Sequence, residues 1–249
     1  MLNVLIACEE SQRVCIEMRK LGHRAFSCDI LECSGGHPEW HIQGDVLPLL
    51  NGDCTFQTMD GHTHTQRGRW DLIIAFPPCT KTTNAGARHL FAGGKLNIPR
   101  FYDGLCGKAL FMAIRAADCE KIAIENPTPS AVFEYPKPSQ AIQPFEYGHP
   151  ATKRTCLWLK GLPDLSPTNI VDRPEYRTFI QKNGKTRKTC WEMEQGGGKD
   201  RAKNRSKTFP GIARAMAEQW TSYIEDEKAA HDQAQENQST PKTRDPSRR

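Results

Sequence analysis

The sequence predicts an α/β protein built on a parallel sheet. Three observations carry that prediction. Apolar, β-branched runs recur at 2–7, 70–75 and 121–124. Segments of helical spacing separate them, and each run ends in polar or turn-forming residues where a strand would leave the core. With 249 residues the chain is long enough for one sizeable body and a small insertion.

Taken in order, 2–7 reads as a buried strand, followed by a helix with Val14, Cys15, Met18 and Leu21 on one face, capped by Ser11 and stopped by Gly22. A second strand at 25–28 ends at Asp29, and Gly44-Asp45 follows a third strand end. Residues 52–69 form a polar hairpin turning at Asp60-Gly61. The run 70–75 ends in Phe76-Pro77-Pro78-Cys79, and 80–103, rich in small and basic residues, reads as a mobile cationic lid. A helix at 105–117, a strand at 121–124 and a strand at 154–159 complete the body. Residues 161–205 read as a short basic insertion, 206–224 as a return to the body through an amphipathic helix, and 225–249 as a polar, disordered tail.

The formal charge is only +5, yet Lys182, Lys185, Arg187, Lys188, Lys199, Arg201, Lys203, Arg205 and Lys207 crowd into one stretch, a patch suited to a polyanion. Ten scattered cysteines, some inside apolar runs, with no signal-peptide pattern before them, read as reduced cytoplasmic thiols. No run reaches the ~20 apolar residues of a membrane span. Cys28, Cys33, His37 and His41 match no zinc spacing, so no metal is expected.

Acidic residues at three successive strand tips, Glu9 or Glu10, Asp29 and Asp45, suit a ligand bearing ribose hydroxyls or positive charge. The first turn, Cys8-Glu9-Glu10-Ser11, lacks the glycine cradle that a pyrophosphate needs, which argues against NAD or FAD and leaves an adenosyl ligand without phosphates. At the other tips, two prolines stiffen the approach to Cys79, and Glu125-Asn126-Pro127 closes the next strand. A thiol and a carboxyl so placed suit addition to a cytosine ring: sulfur attacks C6, Glu125 protonates N3, and C5 becomes nucleophilic. Glu125 then needs a raised pKa, and Arg154 is the candidate cation for the base's O2, with Lys153 or Arg154 placed to favour the thiolate.

These residues also resemble a family. Phe76-Pro77-Pro78-Cys79 is similar to the Pro-Cys motif of DNA (cytosine-5) methyltransferases, and Glu125-Asn126-Pro127 to their Glu-Asn-Val motif, in the same order and at similar spacing. Gly44-Asp45-Val46 is similar to Gly-Asp-Ile, Thr152-Lys153-Arg154-Thr155 partly resembles Gln-x-Arg-x-Arg, and the stretch from Ser206 to Ala213 resembles the final Gly-Asn-Ser-Val-Pro-Pro motif. The arrangement looks most like short methyltransferase-like proteins of phages and prophages. It covers 1–160 and 206–224, while the family's Phe-x-Gly-x-Gly-Gly opening is missing and 161–205 is short for a target-recognition region.

The resemblance implies a Rossmann-like S-adenosylmethionine-dependent fold. It implies catalysis by Cys79, Glu125 and Arg154. It implies cofactor contacts from Glu9, Glu10, Ser11, Asp29, Ile30, Asp45, Val46, Pro77 and Thr208, and substrate or DNA contacts from Pro78, Thr80, Asn126, Lys81, Arg88 and Lys153. The expected partner is DNA, with cytosine flipped from a duplex or an opened strand, and the chain is expected to act as a monomer. Three alternatives stand beside this reading. An amino-methyltransferase needs a polar residue where Phe76 stands; the others are a silent DNA-binding or anti-restriction protein and an enzyme modifying C5 of a free pyrimidine nucleotide.

Overall fold

The computed structural model describes residues 1–87, 89–173, 175–181, 183–190 and 206–239. The chain begins with β1 (Asn3–Ala7), α1 (Arg13–Lys20) and β2 (Arg24–Asp29), then β3 (His41–Gln43). A polar hairpin, β4 (Cys54–Gln57) and β5 (Thr63–Gln66), precedes β6 (Leu72–Ala75). After β6 come the one-turn α2 (Asn84–Ala87), a two-residue hairpin of β7 (Phe91–Ala92) and β8 (Lys95–Leu96), and the long α3 (Ile98–Arg115). The second half holds β9 (Ile122–Pro127), β10 (Gln140–Ile142), β11 (Thr155–Lys160), the hairpin β12 (Tyr176–Ile180) and β13 (Thr186–Cys190), and α4 (Pro210–Ser239).

Seven strands form one sheet in the order β10-β11-β9-β6-β1-β2-β3. The five from β9 to β3 are parallel, and β11 enters antiparallel beside β9, with β10 antiparallel to it at the edge. The fold is therefore α/β with a mostly parallel sheet. From β1 the chain winds outward to β2 and β3, then returns to lay β6 and β9 on the other side of β1. That reversal makes a topological switch point at the carboxyl ends of β1 and β6, the place where open α/β sheets hold ligands.

Strand alternation sorts the core into two layers. Val4, Ile6, Leu72, Ile74 and Ala123 face α1 and α4, while Leu5, Ala7, Ile73, Ala75, Ile122 and Ile124 face the side holding Phe111 and Ile114 of α3. Trp220 anchors α4: it is fully buried and its indole N–H donates to the Pro163 carbonyl at 3.0 Å. Truncating such a residue to alanine costs roughly 3–5 kcal/mol.

Four boundaries differ from the sequence expectation. Helix α1 is capped not by Ser11 but by Glu9, whose carboxyl accepts from the amides of Val14 (2.7 Å) and Cys15 (3.2 Å), while Gln12 at the N-cap takes a left-handed backbone and turns its side chain to Ser27 and His37 instead of the helix end. Helix α3 begins seven residues early because Asn97 accepts from the Arg100 amide and Pro99 suits the first turn, where no donor is needed. Residues 161–171 join the body: Leu165 is buried, Ser166 exchanges backbone bonds with the Gln219 amide, and the Val171 amide donates to Phe145.

The expected disordered tail is helical from Glu225 to Ser239. Glu227 pairs with Lys121, Lys228 pairs with Asp71, and the Ala-, Glu-, Lys- and Gln-rich sequence favours helix once docked. Among the described residues no helix is long and apolar enough to cross a membrane.

Candidate functional site

Two loops at the carboxyl end of the sheet are stitched together. After β6, Phe76 donates its amide to the Ala7 carbonyl (2.9 Å), Pro77 is buried and Pro78 and Thr80 are exposed, leaving Cys79 half-buried between them. The Cys79 carbonyl accepts from the amides of Thr82 (3.1 Å) and Thr83 (3.0 Å) and from the Thr82 hydroxyl (3.3 Å). The same segment reaches across to the loop after β9, where Asn84 donates to Thr128 (3.2 Å) and Ser130 donates to Thr82 (2.7 Å). The thiol and the end of β9 are thereby held in fixed relation.

This stitching replaces the mobile lid expected over 80–103. Arg100 donates to the carbonyls of Thr80 (3.3 Å) and Gly86 (3.0 Å), and Lys81 pairs with Asp103 at 3.1 Å, so these cations bind the loop's own backbone and helix α3. Lys81 is thus turned to a structural contact. Arg88, expected to meet substrate, lies outside the described residues, as do Lys182, Lys199, Arg201, Lys203 and Arg205 of the basic stretch.

Cys79 and Glu125 interact electrostatically, as the sequence reading requires. Burial pushes the Cys79 thiol up, the Glu125 carboxyl adds to that rise, and Lys153 opposes it. Burial likewise raises Glu125 above the ordinary carboxylate range, again opposed by Lys153. Lys153, half-buried, is therefore the cation that faces both groups. Arg154, expected in that role, is exposed and acts on neither. Both residues precede β11, whose register sets Thr155 against Pro127, and successive side chains there diverge.

Several buried polar atoms lack hydrogen-bond partners: Glu125 Oε1, both side-chain atoms of Asn126, and the Tyr135 hydroxyl. Glu125 and Asn126 leave β9 on opposite faces, Asn126 on the α3 side. Tyr135 stands on that side too, its ring edge-on to Phe111 at 4.8 Å, and burial raises its phenol with Cys79 adding to the rise. Nothing in the sequence singled out Tyr135; it follows β9 by eight residues in a segment without periodicity. Unpaired buried groups of this kind cost ~1–3 kcal/mol each, and a polar ring entering beside Cys79 offers partners to them.

The acidic tips assemble on the other side of the switch point. Asp29 ends β2 and accepts from the Leu31 amide (2.9 Å), and Asp45 follows β3 and accepts from the Leu47 amide (3.0 Å). Both raise the thiol of Cys8, which burial pushes to about 12, so the three side chains converge on one spot. Burial, with Glu10 contributing, also raises Asp29. Ile30 is exposed beside Asp29, Val46 is buried beneath Asp45, and Ser11 is buried in the first turn. Glu9, expected among the cofactor contacts, instead closes the helix end: it is buried, and burial raises its carboxyl to about 8 against the pull of the two amides. Thr208 precedes Phe209, which packs on the same core layer as Phe76. Gly211 there leaves no room for a Cβ against the Tyr147 carbonyl, and its amide donates to His149.

The donor set fits an adenosyl ligand without phosphates. Carboxylates accept from ribose hydroxyls and ammonium groups, exposed Ile30 offers an apolar surface to an aromatic base, and the acidic turn repels phosphate. The tempting metal set is otherwise engaged: His41 bonds Ser27 and the Leu31 carbonyl, His37 bonds Glu39, and the Cys28 thiol bonds the Gly44 carbonyl. A depression of about 480 Å³ lies away from the strand tips beside Met1, His23 and Arg24. Its Arg19 already stacks on Phe26 and Trp40 at 4.9 and 5.2 Å. Comparison with protein-family models found no match, and comparison with curated proteins found no relative.

Proposed function

We propose that the chain is an S-adenosylmethionine-dependent DNA (cytosine-5) methyltransferase with a Rossmann-like body. The observation that carries this reading is the placing of Cys79 beside a buried Glu125, whose carboxyl burial raises, at a topological switch point that also carries Asp29 and Asp45. A thiol alone has many uses, but a thiol beside a carboxyl of raised proton affinity suits addition to a pyrimidine while a ring nitrogen is protonated.

Glu125, whose hold on a proton burial strengthens, donates to cytosine N3 as the Cys79 thiolate bonds C6; the C5=C6 pair moves to C5, and the ring becomes an enamine. Lys153, facing both groups, favours the thiolate and offsets charge gathering at O2, the role the sequence reading gave to Arg154. Asp29, Asp45 and Ile30 would hold S-adenosylmethionine over buried Val46, and the cofactor would supply an electrophilic methyl for C5 and leave as S-adenosylhomocysteine. Solvent then takes the C5 proton as the C6–S bond breaks, N3 returns its proton to Glu125, and 5-methylcytosine leaves the Cys79 thiolate. Lys185, exposed beside the β12–β13 hairpin, is placed to supply a phosphate contact.

The test uses the whole chain with labelled S-adenosylmethionine and unmethylated DNA. Formation of 5-methylcytosine, its loss in Cys79→Ser, and covalent trapping on a 5-fluorocytosine duplex are the expected results. Methylation that persists in Cys79→Ser refutes the mechanism. Label found only in free pyrimidine nucleotides reassigns the substrate.

A further inference from the structure

We propose that the solvent face of α3, extended by the β7–β8 hairpin, is the interface through which two copies of this chain form a symmetric dimer. The proposal needs no reading of the chemistry at Cys79. Helix α3 has two unlike faces. Arg100, Asp103, Gly104 and Gly107 meet the Cys79 loop and Phe133, with Phe111 and Ile114 in the core beneath. The opposite face carries Ile98, Tyr102, Leu105 and Met112 at positions i, i+4, i+7 and i+14, a straight line along four turns.

That line is exposed where an amphipathic helix should be polar. Ile98 is 70 % and Tyr102 65 % exposed, and Leu105 and Met112 are also open to solvent. Cys106 and Ala109 fill the gaps between them on one side, and half-buried Lys108 borders the stripe between Leu105 and Met112 on the other. The hairpin leads straight into it: Phe91 and Leu96 are paired across β7 and β8, both exposed, and the Asn97 amide donates to Leu90 at 2.7 Å. An isolated exposed leucine needs no explanation; six large apolar side chains on one helix and its leading turn do.

The occupant follows from area and chemistry. The six side chains expose on the order of 700 Å² of apolar surface, more than the largest patch of a typical monomer and close to the ~800 Å² each partner gives to a stable interface. Lys95 of β8 and Lys108 border the apolar line, few cations for a phosphate backbone, whose affinity grows with the number of charges it meets. A second copy fits because a two-fold operation sets the patch against itself. In an antiparallel pair, the large residues at the start of α3 pack over the partner's Cys106 and Ala109, where small side chains let the helices approach.

Sedimentation of the full chain between about 1 and 100 µM tests the proposal. A dimer is expected, with Leu105→Asp and Tyr102→Asp each weakening it by at least ~30-fold, the loss typical of a central interface residue. Both positions face solvent, so circular dichroism of the monomeric variants should match the wild type. Cys106, exposed on the edge of the stripe, gives a second reading. Its alkylation should slow as the protein concentration rises and should be insensitive to concentration in Leu105→Asp. A wild-type chain that stays monomeric at 100 µM overturns the proposal, as does a dimer that both substitutions leave intact.

Discussion

Gly86→Ala tests whether the Cys79 thiol, to which the proposed methyl transfer is assigned, is held by the stitched loop. A Cβ on Gly86 would point at the Thr80 carbonyl oxygen, one residue from Cys79, and backbone cannot rotate aside as a side chain can. Restoring ordinary contact moves the Thr80 carbonyl by roughly 1 Å, a displacement that costs about 100-fold when it misplaces a reacting group. The same shift strains the Arg100 bonds to Thr80 and Gly86 and the amide bonds to the Cys79 carbonyl, a further ~1–3 kcal/mol of stability. Gly107→Ala is the control. Its Cβ would lie 3.3 Å from the Pro78 carbonyl and 3.7 Å from the Thr82 methyl, so a few tenths of an ångström suffice. The gain in helix propensity of up to ~1 kcal/mol offsets that crowding. Methyl transfer to DNA and thermal melting, measured on both variants, should show Gly86→Ala about 100-fold slower and Gly107→Ala near wild type in both. Equal activity of the two, or a worse defect in Gly107→Ala, refutes the claim that this contact positions Cys79.

Lys153→Met should shift the pH midpoint of Cys79 alkylation, followed by mass spectrometry of its peptide, to higher pH, because Lys153 opposes the rise of that thiol; Arg154→Met should leave it in place. Between the ordinary carboxyl value of 4.5 and about 8, folded Glu9 holds a proton that the unfolded chain has released, so its contribution to stability is present below that window and fades as pH rises through it. Glu9→Gln should flatten the corresponding part of the melting profile from pH 5 to 8.5, and a slope identical to wild type would contradict the burial assigned to Glu9. Asp29→Asn should weaken S-adenosylmethionine binding by roughly 10- to 100-fold in calorimetry, the worth of a charge-assisted hydrogen bond, while Glu9→Gln should bind normally because its side chain is spent on α1.

The strand tips were legible because their signals are local. An apolar run followed by Pro77-Pro78 or by Glu125-Asn126-Pro127 fixes where a parallel strand ends, and the doubly wound order brings such ends to one switch point. What escaped was parity. Choosing between Lys153 and Arg154, or between Glu9 and Glu10, means knowing which of two adjacent side chains faces inward. That depends on the β11 register with β9 and on the left-handed backbone at Cys8 and Gln12, neither of which has a composition signature. Ser11 looked like a cap for the same reason: cap preference is local, but Glu9 reaches the amides only through that turn. The tail failed differently. Its polarity signalled disorder when read alone, yet Lys121 and Asp71, over 100 residues away, provide the charges that hold Glu227 and Lys228. The same long-range logic governs α3. Its apolar line at 98, 102, 105 and 112 has the spacing of a core-facing stripe, and only the packed structure shows the true core on the opposite side. A helix with one apolar face in the core and another in solvent has more hydrophobic surface than one chain can bury, which is why the second face calls for a second chain.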